Sequence, residues 1–120
     1  MDLNRILLYA DKNGVMQTTQ QREYLTILDA VYAGENHGPL KPDKKVCNTI
    51  LVGSNPVAVD TVACAIMGYD YKKVPTVREG YRVKKYPLIN TEAENIVLIS
   101  DSKEFHEKKL ADISLSLIHI

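Results

Sequence analysis

An α/β fold is predicted for this 120-residue chain, with helices packed on a mixed or mostly parallel sheet in what reads as an incomplete domain. Three observations predict it. Tyr24 to Tyr32 and Val46 to Val52 are apolar runs with strand character. A stretch rich in glycine, proline and acidic residues separates them. A helix signal, Asn55-Pro56, follows almost directly on the second run. Strands that hand over to helices through such loops are the pattern of a layered α/β domain.

At the N-terminus, Leu3, Ile6, Leu7 and Ala10 recur at helical spacing, and Asp11-Lys12-Asn13-Gly14 supplies a stop. A short amphipathic helix follows from that pattern. Tyr24 to Tyr32 fits two periods, because Tyr24, Leu28, Val31 and Tyr32 suit a helix while Leu25, Ile27, Asp29 and Val31 alternate as a strand. Thr26, Ile27, Val31 and the two tyrosines favour a pleated surface, so the segment is assigned as a strand. From Ala33 to Lys45 no apolar period is visible, and a connection of that length is usually functional or mobile.

Val46 to Val52 is predicted as a second strand, apolar on both faces and therefore central in the sheet. Asn55 can cap the next helix with its side-chain oxygen, and Pro56 suits the first helical position, where a missing N–H costs nothing. That helix, Pro56 to Met67, is apolar on nearly every side apart from Asp60, which predicts burial, and Gly68 ends it in the left-handed conformation. A turn over Tyr69 to Pro75, a second helix over Thr76 to Tyr86 and a strand over Asn95 to Ser100 complete the pattern.

Composition excludes several classes of function. The chain is 45% apolar and 25% charged, with fifteen basic residues balancing fifteen acidic ones. Without a net positive charge or a basic stripe, the electrostatic drive for nucleic-acid binding is missing. Lys44-Lys45, Lys72-Lys73 and Lys84-Lys85 are scattered pairs that read as solvated surface. No apolar run approaches the ~20 residues of a membrane span, and no leader pattern opens the chain, which predicts a cytoplasmic protein without a membrane partner. Cys47 and Cys64 match no metal or iron–sulfur ligand spacing and read as small buried hydrophobes.

Several blocks resemble the DUF362 family, a large set of prokaryotic proteins of unknown function, some of them joined to a ferredoxin-like iron–sulfur module. They are Asp2-Leu3-Asn4-Arg5; Leu28-Asp29-Ala30 with Ala33-Gly34-Glu35 and Gly38-Pro39-Leu40; Gly53 with Asn55-Pro56-Val57-Ala58-Val59-Asp60; and Met67-Gly68-Tyr69-Asp70 before Val74-Pro75. The resemblance spans roughly residues 2 to 100. It departs from the family at Asn36-His37, where a glycine is common, and no four-cysteine cluster is present. The resemblance implies an α/β fold and a site location, but no substrate and no cofactor. It also implies that residues 1–114 are the C-terminal part of a larger domain, with Met1 an internal methionine. The last residues, Leu115-Ser116-Leu117-Ile118-His119-Ile120, resemble the translation of a transposase adapter and are expected to be a non-native tail; a genuine C-terminal strand is the alternative.

The candidate chemistry gathers at the ends of the strands. Asp29, late in an apolar strand, must be hydrogen-bonded, paired or facing a site, since a bare buried carboxylate is costly. Glu35 and His37 flank a glycine-rich turn, Gly34 to Gly38, where oxygen and imidazole suit acid–base work or a ligand. No HxH or HExxH spacing supports a metal. Asn55 and Asp60 lie near a helix start, which attracts anions. Asp60 needs a donor, for which Arg5, Arg22 or a loop N–H is available. Ser54 lacks the Gly-x-Ser-x-Gly elbow, and Gly53-Ser54-Asn55-Pro56 lacks the second glycine and lysine of a phosphate loop.

Two functions follow. In the first, the acidic loop Gly34 to Leu40 and the Asn55/Asp60 helix start enclose a small anionic or metal-associated ligand. Asp29, Glu35 and Asp60 then act as candidate catalytic groups converging in one pocket, with Gly34, His37, Gly38 and Asn55 binding the ligand. In the second, the domain is non-catalytic and serves a structural or partner-binding role.

Overall fold

The computed structural model describes residues 2–103 and 106–112. Helix α1, Asp2–Tyr9, forms where expected but buries Leu8 and Tyr9; of the apolar face expected from the spacing, Leu3, Ile6 and Leu7 are exposed and only Ala10, just past the helix, is covered. Its stop is built from Asp11. The carboxylate takes the N–H groups of Asn13 at 2.8 Å and Val15 at 3.0 Å, while Gly14 turns the chain at φ +80°. Arg22 then folds back and donates to the carbonyls of Leu7 and Ala10, both at 2.6 Å, satisfying acceptors that a helix C-terminus leaves open.

Strands β1, Thr26–Glu35, and β2, Asp43–Gly53, pair antiparallel from Thr26↔Gly53 to Glu35↔Asp43. The long connection expected over Ala33 to Lys45 shrinks to residues 36–42, because backbone pairing carries Ala33-Gly34-Glu35 and Asp43-Lys44-Lys45 into the ladder although their side chains give no apolar signal. A connection this short closes a hairpin; a parallel pair would need a crossover of roughly a dozen residues. The sheet is thus antiparallel, and β2 is one of two strands and not a central one. Its apolar run alternates accordingly, with Cys47, Thr49 and Leu51 half-buried and Val46, Ile50 and Val52 exposed.

The ladder carries one irregularity. Ala30 pairs with Thr49 and Tyr32 with Val46, so Val31 alone faces Cys47 and Asn48. Asn48 takes up the extra residue at φ +48°, a left-handed conformation that asparagine tolerates better than most side chains.

Helix α2, Pro56–Ile66, begins as the sequence predicts. The Asn55 side-chain oxygen accepts from the Ala58 N–H at 3.0 Å, Pro56 occupies the first turn, and Gly68 at φ +75° follows the last. Val57, Val59, Thr61, Val62, Ala63 and Cys64 are buried against β2 and against helix α3, Pro75–Arg82. Gly53 permits the close approach of sheet and helix, since a Cβ there would lie 2.6 Å from Val59 Cγ2. The buried Thr61 hydroxyl reaches the Val57 carbonyl at 2.6 Å and the Tyr81 hydroxyl at 2.7 Å, which ties α2 to α3.

Helix α3 stops at Arg82, short of the predicted Tyr86. Val83 is extended and Tyr86 sits at φ +61° before Pro87, a residue that disfavours helical backbone ahead of it. Strand β3 is only Val97–Leu98, paired antiparallel with β4, Lys108–Lys109, because Ala93–Asn95 forms a 3-10 turn where the predicted strand would begin. Leu8, Tyr9, Val57 and Leu88 form a core cluster, with Met16, Tyr24, Tyr81, Tyr86 and Ile89 against it. Helices and strands mix as an α/β domain, and among the described residues no helix is long and apolar enough to cross a membrane. The predicted tail, 115–120, lies outside the described residues.

Candidate functional site

The two halves of the site expected from the sequence occupy opposite ends of the hairpin. The loop after Glu35 lies where Glu35 faces Asp43, whereas α2 starts beyond Gly53, which faces Thr26. Nine residue steps of strand separate those ends, about 30 Å at the usual rise. Asp29 and Glu35 are six steps apart on the same strand, about 20 Å. The convergence of Asp29, Glu35 and Asp60 in one pocket is therefore not formed, because β1 continues through the segment expected to be a flexible loop.

Each carboxylate has its own setting. Asp29 is exposed and accepts the N–H of Val31 at 3.0 Å, where the bulge interrupts the ladder. Glu35 Oε2 lies 3.8 Å from Lys45 Nζ across the strands. At the tip, Asp43 accepts from Asn36 Nδ2 at 2.8 Å and stands 4.0 Å from His37 Nδ1, all in open solvent. Exposed pairs of this kind contribute at most about 1 kcal/mol. Gly34 is sterically required, since a Cβ there would meet Pro42 at 2.7 Å, and Gly38 precedes Pro39 through a cis peptide.

Asp60 sits on α2 with more than a third of its surface exposed, yet the apolar neighbours of its carboxyl push its pKa above the ordinary value. Neither predicted arginine serves it: Arg5 bonds Asp2, and Arg22 bonds the end of α1. One turn on, burial and the Asp60 charge both push the Cys64 thiol up, which keeps it protonated and inert. Among the described residues no group of three or more His, Cys, Asp or Glu side chains is placed to hold a metal ion.

A groove of about 1130 Å³ opens at the start of α2, lined by Arg22, Tyr24, Leu25, Ser54, Asn55 and Asn90 among others. Asn55 builds its wall. While its oxygen caps the helix, its Nδ2 donates to the Leu88 carbonyl at 2.7 Å and fixes the segment carrying Ile89 and Asn90. The cap and Pro56 leave few free N–H groups at this helix start, so its pull on an anion is weak. Sequence reasoning identified the cap; the bond to Leu88 spans 33 positions and has no local signal. Nor does the Tyr9 hydroxyl bond to the Pro87 carbonyl, at 2.7 Å.

Against known proteins, the model of the family described as Domain of unknown function (DUF362) matches residues 1–65. The chain belongs to the DUF362 family. No curated protein and no solved structure matches it. The DUF362 match takes in α1, the whole hairpin and most of α2, and so includes Asp29, Glu35, Asn55 and Asp60.

Proposed function

We propose that this DUF362 domain is a partner-binding module that docks through the outward face of the β1–β2 hairpin. One observation carries the reading. Ile27, Ile50 and Val52 are each 60–64% exposed, and they lie side by side on the face turned away from α2. The pairing Ile27↔Val52 sets two of them opposite each other, and Ile50, opposite Asp29, lies two residues along β2 on the same face, which makes the patch contiguous. Isolated exposed apolar residues are ordinary, whereas a contiguous strip on a two-stranded sheet marks a surface built to be covered.

The test is a photo-crosslinking residue at position 50, facing outward, against the same residue at position 49, facing α2, in cells producing the full chain. Adducts from position 50 alone are expected. Absence of adducts from position 50 would overturn the reading.

A second reading is favoured by the groove beside Asn55, where Arg22, Ser54 and Asn90 are groups that suit a small anionic ligand. Titration with inorganic phosphate, followed by amide shifts of Ser54 and Asn90, tests it: shifts that saturate and are lost in Arg22→Ala support it, and unmoved amides overturn it.

A further inference from the structure

Resting on the docking reading above, we infer that the element taken up by the outward face of the hairpin is a single amphipathic helix, apolar along one side and bordered there by lysine or arginine. The ladder fixes which residues form that face. A Cβ on Gly53 would meet Val59 of α2, so Gly53 and its ladder partner Thr26 look towards the helix. From Thr26 onwards β1 alternates without interruption, which puts Ile27, Asp29 and Glu35 on the outward side. Val52 opposite Ile27, Ile50 opposite Asp29, Lys45 opposite Ala33 and Asp43 opposite Glu35 complete it.

Width selects a helix. Two strands span about 10 Å, which one helix of ~10 Å diameter covers. On the inner side α2 already packs against these two strands in this way. Charge selects the border of the incoming helix. The face carries the carboxylates of Asp29, Glu35 and Asp43 against the single ammonium of Lys45. That lysine stands by Glu35, 3.8 Å away, and leaves Asp29 to the apolar end of the face. There the Asp29 Oδ1 accepts the Val31 N–H, beside Ile27 and opposite Ile50. A basic side chain reaching Asp29 from a covering helix is shielded from solvent by the same apolar contact, and its attraction is screened less than on open surface. A second copy of this face would instead set acid against acid, and an anionic lipid surface would be repelled for the same reason.

The probe is a fluorescein-labelled synthetic helix of ~18 residues, about 27 Å long, with a leucine stripe bordered by lysines. The same peptide bordered by glutamates is its control, and binding to the full chain is read by fluorescence anisotropy. The lysine peptide is expected to bind saturably, about tenfold or more tighter than the glutamate peptide, with the difference shrinking in high salt. Asp29→Asn, which keeps an oxygen for the Val31 N–H, should weaken the lysine peptide about threefold, and Asp29→Lys by more. Ile50→Asn should weaken both peptides, whereas Val46→Asn, on the opposite face through its pairing with Tyr32, should change neither. Circular dichroism confirms that each variant is folded. Equal binding of the two peptides, no binding of either, or a lysine preference untouched by both Asp29 variants overturns the inference. The crosslink at position 50 separates this from the broader reading. Where the lysine peptide fails and an adduct still forms, docking stands and the basic helix falls; an adduct of two 13.5 kDa chains then names a second copy as the occupant. No adduct overturns both.

Discussion

Leu88 and Ile50 are both aliphatic, yet they belong to different kinds of surface. Leu88 is 1% exposed, at the corner where α1, the start of α2 and residues 86–89 meet, whereas Ile50 is 60% exposed on the outward face of the hairpin. In the corner, apolar contact is backed by long-range polar bonds, Tyr9 to Pro87 and Asn55 to Leu88. On the hairpin, apolar residues gather without such support. The first arrangement stabilises the chain by itself, and the second does so only once something covers it.

The sharpest way to break this contrast is truncation. Leu88→Ala is expected to cost about 2–5 kcal/mol in denaturant unfolding through lost burial and a cavity. Ile50→Ala, measured on dilute protein, should cost less than about 0.5 kcal/mol; equal costs would show that the hairpin face is already buried in the single chain. Next is the seam between the regions: Gly53→Ala pushes a methyl to within 2.6 Å of Val59 and should cost up to about 3 kcal/mol in the same measurement.

Asn55→Ala should cost about 1–2 kcal/mol, because it removes the helix cap and leaves the Leu88 carbonyl unpaired. Asn55→Asp keeps the cap and loses only the donor, so it should recover part of the loss in a thermal melt. The smallest effect belongs to Asp60. Its pKa is raised in the folded chain, so the ionised carboxylate opposes folding at neutral pH. That penalty fades as pH falls through the raised value and is absent below the ordinary 3.8. Asp60→Asn should therefore raise the melting temperature at pH 7 and leave it unchanged at pH 3.

What could be read from residues alone was local. The Asn55 cap, Pro56 in the first turn and the glycine after α2 are written within a few positions of one another, and all three appear where expected. The stop after α1 is likewise a local Asp11 turn. Strand direction was not local: Val46 to Val52 looks central because apolar composition does not tell a strand covered on both faces from one covered on a single face. The proposed pocket was illegible for a related reason. Glu35 stands beside glycine in sequence, but its place at the far end of the ladder depends on cross-strand pairing that no single segment encodes. Arg22, by contrast, reads as a carboxylate partner and turns out to hold main-chain oxygens at the end of α1.

The extra position at Asn48 bears on how this domain tolerates change over evolution. The bulge absorbs that residue, so removing it would pair Val31 with Cys47, straighten the ladder and leave Ala30↔Thr49 and Tyr32↔Val46 as they stand. Exchanges of one amino acid for another along β2 can accumulate one at a time. A single-codon deletion at Asn48 would remove only a local bend and leave every other residue on its own side, so among descendants the length of this segment is free to vary along with its spelling.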